Sequence, residues 1–242
     1  MMYLNERIDD LQRGGLRVIQ RADAFRFGTD AVLLADFAAP RRHDRVCDLG
    51  TGTGIIPLLL YARENTISAD AVEIQPDMAD MAARSMAMNG LNEKIRVLPG
   101  ALRSIRTLLP HARYDLVTCN PPYGKAGGTL LNPDASKRLA RHEESCAIED
   151  VACAAAWLLQ NGGRLCCVFP AARMIELSDA MRKYRMAPKR IRMVHSRVEK
   201  AAHLCLMEGM LDARPGLIIE PPLVIYDENN AYTPELRRIY GL

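Results

Sequence analysis

Apolar runs of strand length alternate with segments of helical period along most of the chain. Arg45 to Asp48 predicts a short strand, followed by a Gly-rich turn and an apolar helix from about Gly54 to Glu64. Ala69 to Ile74 predicts the next strand. Pro76 starts a helix, since its fixed φ suits the first turn, and Asn89-Gly90 ends it. Ile95 to Leu98 and Tyr114 to Cys119 predict two more strands. Ile148 to Gln160 predicts a helix capped by Gly162-Gly163, with a strand from Arg164 to Phe169 behind it. Such alternation implies βαβ units, a mainly parallel sheet, and ligands at the C-terminal strand edges.

Two parts depart from this rhythm. Phe27-Gly28-Thr29-Asp30 opens a helix running to about Ala38, with Thr29 or Asp30 as its N-cap. After the fifth strand regular helices drop out of the pattern, and Lys189 to His195 and Ala202 to Asp212 predict an antiparallel pair. No internal repeat, low-complexity tract or Ser/Pro linker divides the chain, so residues 1–242 are expected to form one domain.

Composition narrows the class. With 49% hydrophobic and 25% charged residues, wholesale disorder and collagen-like structure are excluded. Unbroken apolar stretches such as Ile55 to Ala62 are far short of the ~20 residues that span a bilayer. Glu6, Arg7, Asp9 and Asp10 stand where a signal peptide needs an apolar segment, so export is not expected. The seven cysteines are odd in number and none forms C-x-x-C, which offers neither a zinc knuckle nor a redox pair. A reduced, cytoplasmic protein without a metal is the expectation.

The first strand runs into Asp48-Leu49-Gly50-Thr51-Gly52-Thr53-Gly54. Glycines let the backbone turn tightly and approach a ligand, whose polar end meets N–H groups at a helix start. The spacing is G-x-G-x-G with an acid two positions ahead, rather than the dinucleotide G-x-G-x-x-G. That variant suits S-adenosyl-L-methionine, whose cationic amino group wants a carboxylate such as Asp48. Glu73 closes the second strand, where an acid accepts both ribose hydroxyls of either S-adenosylmethionine or NAD. A tight structural turn and an NAD site are the competing readings.

Tyr114 to Cys119 leads straight into Asn120-Pro121-Pro122-Tyr123. The two prolines fix an extended backbone without N–H groups of its own. The Asn120 side-chain oxygen and the Pro121 carbonyl are then free to accept hydrogen bonds. An exocyclic amino group on a purine is a poor nucleophile because its lone pair is delocalised. Two acceptors on its N–H groups favour pyramidal nitrogen and aim the lone pair at a methyl sulfonium. Tyr123 can stack on the base, a contact worth ~1–3 kcal/mol. Cys119 has no basic partner nearby to form thiolate, so it reads as a buried hydrophobe.

The glycine loop, Glu73 and Asn120-Pro121-Pro122-Tyr123 together resemble class I S-adenosylmethionine-dependent amino-methyltransferases. Within them, Phe25 to Ala35, Ala140 to Glu143, Pro221 to Tyr226 and Tyr232 to Glu235 are similar to the subfamily that methylates N6 of the position-37 adenine in valine tRNA. The resemblance covers essentially the whole chain. It implies a Rossmann-like α/β fold: a seven-stranded, mostly parallel sheet, a C-terminal antiparallel pair, and helices on both faces. It makes residues 1–40 a cofactor-covering segment ahead of a core at 41–242. It assigns the cofactor to Arg26, Phe27, Gly28, Thr29, Asp30, Asp48, Gly50, Thr51, Gly52, Glu73, Ile74, Gly100, Ala101 and Asn120. Gly100-Ala101 stands where such enzymes usually carry an acidic residue on the cofactor adenine; Ala101 leaves that contact to backbone groups.

Arg141-His142-Glu143 reads either as a proton carrier and RNA contact or as a capped, salt-bridged helix start. Between Ala180 and Lys200 lie eight basic residues against Glu199 alone, whereas 201–242 holds three basic and six acidic residues. The run includes Lys189, Arg190, Arg192 and Arg197 and sits beside the expected substrate edge, so phosphate neutralisation is preferred over a solvated face. The expected partner is the tRNA anticodon loop. Glutamine-amide methylation of a protein, DNA adenine methylation and a non-catalytic RNA-binding module are the competing functions.

Overall fold

The computed structural model describes Tyr3 and residues 5–21, 28–122 and 148–242. Arg45–Leu49 (β3), Ser68–Glu73 (β4), Ile95–Pro99 (β5) and Tyr114–Cys119 (β6) are parallel to one another. Leu159–Pro170 (β7) continues the parallel set beside β6. Ala202–Leu211 (β9) then pairs antiparallel with both β7 and Met186–His195 (β8). The sequence-derived sheet is these seven strands. Two two-residue strands, Ile218–Ile219 (β10) and Leu223–Val224 (β11), extend the outer edge of β8 and make nine.

Alternate strand residues feed opposite faces, as the period of two requires. Val46, Leu116, Cys166, Leu206 and Val194 pack beneath Thr29–Ala38 (α1), Ile55–Arg63 (α2) and the C-terminal Pro234–Tyr240. Cys47, Val117, Cys167 and Met207 pack beneath Ile148–Leu158 and Met174–Lys183. All these strand residues are buried. Pro76–Met88 (α3) flanks β4 and β5, and the short helix Ile105–Leu108 packs against Ile148–Leu158.

Several sequence expectations need correction. Regular helices do not end after the fifth strand: Met174–Lys183 is helical, burying Leu177, Ala180 and Met181. Met174, Leu177, Ala180 and Met181 follow helical spacing, so this helix is legible in the sequence and the expectation against it was mistaken. Gly162-Gly163 does not cap a helix. The preceding helix stops at Leu158, and the glycines lie inside β7 at a register shift opposite Tyr114. A Cβ on Gly163 would lie 2.9 Å from the Gln160 carbonyl, so only glycine fits that irregularity. Gly28, not Thr29 or Asp30, is the N-cap of α1, and no side chain caps it.

The described part of 1–40 holds a hairpin, Glu6–Asp10 (β1) with Arg17–Arg21 (β2), besides α1. The hairpin docks on α3: Ile19 N–H donates to Ser85 Oγ at 2.9 Å, and Arg17 N–H to Asn89 Oδ1 at 2.9 Å. No helix among the described residues is long and apolar enough to cross a membrane.

Candidate active site

The parallel strands end along one sheet edge, and the glycine turn leaves β3 there. Gly50, Gly52 and Gly54 have φ of 70°, 57° and 84°, the left-handed region that favours glycine. The N–H groups of Gly50 and Thr51 both donate to the Val72 carbonyl, at 2.9 and 3.0 Å, which fastens the turn to β4. At Gly54 a Cβ would also crowd Ala82 Cβ at 3.3 Å and displace the end of the Met86 side chain.

Glu73 joins the two cofactor motifs. Its Oε2 accepts from Gly52 N–H and its Oε1 from Gln75 N–H, both at 2.8 Å. Its carbonyl accepts from Gly100 N–H at 2.9 Å, bringing the end of β5 into the same cluster. Around it opens a cavity of about 230 Å³ lined by Gly50, Gly52, Val72, Glu73, Ile74, Gln75, Gly100, Leu102, Asn120 and Pro122. Ile74 keeps 44% of its surface exposed there, an apolar side chain on the cavity wall. Two larger clefts, about 370 and 550 Å³, lie at the opposite sheet edge and beside the N-terminal hairpin; neither touches the glycine turn.

Asp48 lies behind this cavity rather than on its wall. Its carboxyl is closed to solvent, and Oδ1 accepts from the Thr118 hydroxyl at 2.7 Å. Among the described residues, Oδ2 and the buried Thr51 hydroxyl complete no hydrogen bond, although that hydroxyl is near enough to favour the carboxylate. Burial dominates and pushes the Asp48 carboxyl up to about 7, and the Glu73 charge adds to the rise.

The residues fit S-adenosylmethionine on these observations. An acid at the end of β4 matches a ribose diol, Ile74 and Leu102 offer apolar faces to an adenine, and the orphaned Asp48 oxygen is a buried acceptor suited to a cationic group. Asn120 and Pro122 border the same cavity, so the candidate catalytic tetrapeptide meets the candidate cofactor site. Pro121 is buried beside them.

The remaining sequence-derived residues distribute as follows. Ala101 begins a short 3-10 turn at Leu102–Ser104 and does not line the cavity. Thr29 and Asp30 are also off its lining; the Thr29 hydroxyl meets Tyr240 Oη at 3.2 Å, and burial raises the Asp30 carboxyl. Arg26, Phe27, Tyr123, Arg141 and His142 lie outside the described residues. Val72, Gln75 and Leu102 line the candidate site and Thr118 stands behind it against Asp48, all unanticipated from sequence. Only Thr118 carried a signal, as a polar side chain in an apolar strand.

The basic run changes character in three dimensions. Arg190 pairs with Glu208 at 3.1 Å and Glu220 at 2.7 Å, and its guanidinium lies over the Phe37 ring. Arg192 makes a two-oxygen contact with Glu235 at 2.8 and 2.9 Å. Lys189 donates to the Arg214 carbonyl, and Arg197 to the Asp227 carbonyl and the Asn230 side chain. Glu208, Asp212, Glu220 and Glu235, distant in sequence, fold back onto the run. Arg190 and Arg192 are held within the protein rather than standing as a free row of cations.

Comparison with known proteins supplies the family and the fold. The sequence profile of the methyltransferase small domain matches residues 22–190. A tRNA1(Val) (adenine(37)-N6)-methyltransferase of Porphyromonas gingivalis is 31% identical, over 91% of this chain and 89% of its own. One of the same name from Tolumonas auensis is 34% identical, over 88% and 86%. Among solved structures, an O-methyltransferase, so classed by prediction, from Agrobacterium tumefaciens superposes with a TM-score of 0.72 at 24% identity, over 88% of this chain and 96% of its own. At that identity the likeness speaks for the fold alone.

Proposed function

The chain belongs to the methyltransferase small domain family, and on that premise we propose that it transfers a methyl group from S-adenosylmethionine to N6 of an adenine in tRNA. The finer reading is adenine 37, in the anticodon loop of valine tRNA, the substrate in the names of relatives that span nearly the whole chain. A tRNA substrate puts the enzyme in the cytoplasm. One observation carries the reaction type: Asn120 and Pro122 border the cavity that also contains Glu73 and the glycine turn.

When bound, S-adenosylmethionine supplies an electrophilic methyl on a cationic sulfur. Glu73 and the glycine turn hold its nucleoside end, and Ile74 and Leu102 cover the base. The Asn120 side-chain oxygen and the Pro121 carbonyl accept the two N–H bonds of the target amino group and orient its lone pair. An adenine in a single-stranded loop is already accessible or easily extruded, so the protein need not open a duplex. Positioning and preorganised dipoles supply the rate. The proton lost by the methylated amino group passes to water, since that ammonium is strongly acidic.

Methyl transfer from labelled cofactor to bulk tRNA, total DNA and protein, followed by nucleoside mass spectrometry, tests the proposal. N6-methyladenosine in the tRNA pool is the expected product. Label confined to glutamine or to DNA refutes it.

A further inference from the structure

We propose that Tyr226 is a stacking platform for a base of the RNA substrate that flanks the methylated adenine, an inference that rests on the RNA reading above. Three tyrosines form a ladder. The rings of Tyr232 and Tyr240 stack at 5.5 Å and 15°, and those of Tyr226 and Tyr232 lie at 5.5 Å and 30°. The inner end is fixed where Tyr240 Oη meets the Thr29 hydroxyl at the start of α1. The outer ring is held by its backbone, which bridges to Tyr232 and donates to the Ser196 carbonyl at 2.9 Å. Yet Tyr226 keeps 37% of its surface exposed. An aromatic ring immobilised before binding loses little freedom when a base stacks on it.

Its place in the fold suits a macromolecular substrate. Register carries Cys119 across to Cys167, Met207 and Ile191, so Arg192 is level with Asn120. β11 lies beside the end of β8, with Val224 against His195, and Tyr226 is two residues further on. At ~3.3 Å per residue it stands more than about 10 Å beyond the level of Asn120. The cavity occupies the edge formed by β3 to β6, and Tyr226 belongs to the other half, at β8. An RNA loop that lowers one base to Asn120 from that half passes over this ridge.

The surroundings match a nucleic acid strand. Arg197 sits against the turn that follows Tyr226, and the exposed Lys200 has no ion-pair partner among the described residues. Val198, 79% exposed, adds an apolar surface at the tip of the same loop. An aromatic face flanked by cations is how single strands are held, bases on the ring and phosphates on the charges. Glu199 and Glu228 share the rim, so the ring leads and charge is secondary.

The test compares full-length wild type with Tyr226→Leu, Tyr226→Phe and Tyr226→Trp on valine tRNA. Tyr226→Leu is expected to raise the tRNA KM on the order of 10-fold, with kcat, cofactor Kd and Tm held. Phe and Trp, which keep a ring, retain the wild-type KM. The salt slope of tRNA binding stays unchanged, because a ring neutralises no phosphate. An unaltered KM in Tyr226→Leu overturns the assignment. So does a KM rise accompanied by a lower salt slope or lower Tm, which marks displacement of Arg197 or loss of packing. Wild type that methylates no tRNA sinks the RNA reading itself, a different failure.

Discussion

The Thr118 hydroxyl donates a 2.7 Å hydrogen bond to Asp48 across the β3/β6 pairing, where neither residue reaches solvent. Each stands two positions before one half of the candidate site, Asp48 before Gly50 and Thr118 before Asn120. One buried bond thus fixes the glycine turn relative to the Asn-Pro-Pro segment. Thr118→Val keeps the shape and deletes the donor, leaving a buried acceptor unmet at a cost of ~1–3 kcal/mol. Urea unfolding at pH 8 and pH 5 should show the larger loss at pH 8, where the carboxylate is charged. Equal losses at both values would mean that the bond does not serve the charged form.

Asp48 also sets a pH dependence whose sign is fixed by the direction of its shift. Burial raises the native carboxyl to about 7, whereas an unfolded Asp titrates near ~3.9. Between these values the native state keeps a proton that the unfolded state has released, so stability falls as pH rises through this window. The full drop approaches ~4 kcal/mol at 1.36 kcal/mol per unit. Asp48→Asn removes this component. Its Tm should exceed that of wild type at pH 8 in the absence of cofactor and approach it near pH 4. A constant difference across that range contradicts the raised native value.

The structure gathers Gly50, Gly52, Glu73 and Asn120 around one cavity, and these candidates were legible in the sequence because left-handed turns, strand-end acids and X-Pro segments leave signatures within a few residues. Tyr114–Cys119 matched the structure residue for residue, since an apolar run ended at proline. The fate of the basic run was not legible. Whether Arg190 faces solvent or Glu208 depends on the β8/β9 register, which pairs those two residues, and composition carries no register. Gly162-Gly163 failed similarly: a glycine pair ends a helix or kinks a strand with the same letters. The two extra edge strands are two residues long, too short to show a period.

Glu73 ties together the backbone of the candidate cofactor site, at Gly52, Gln75 and Gly100, and should separate binding from chemistry. Glu73→Ala releases Gly52 and Gln75 N–H groups and removes the acid expected at the ribose. Cofactor Kd is predicted to rise on the order of 10- to 100-fold, following ~1.5–3 kcal/mol for hydrogen bonds to a charged group. Asn120→Ala should do the opposite, with Kd near wild type and turnover abolished. Isothermal titration alongside single-turnover methyl transfer distinguishes them. Comparable loss of binding in both variants would contradict the division of labour.

Arg190 offers the sharpest test of whether the basic run serves RNA or the fold. Glu208 is 4% exposed and lies between Arg164 and Arg190, 3.1 Å from each. Arg164 in turn donates to the Ala38 carbonyl at the end of α1 and pairs with Asp44 at 3.4 Å. Removing one of two cations from a buried carboxylate costs less than stripping it bare, for which 3–5 kcal/mol is typical, because Arg164 remains. Arg190→Ala is therefore expected to lose ~1–3 kcal/mol of unfolding free energy while leaving the salt dependence of tRNA binding unchanged. A double-mutant cycle with Glu220→Ala should show coupling, since that pair meets at 2.7 Å. A reduced salt slope with native stability would instead mean that Arg190 leaves its carboxylates to neutralise a phosphate.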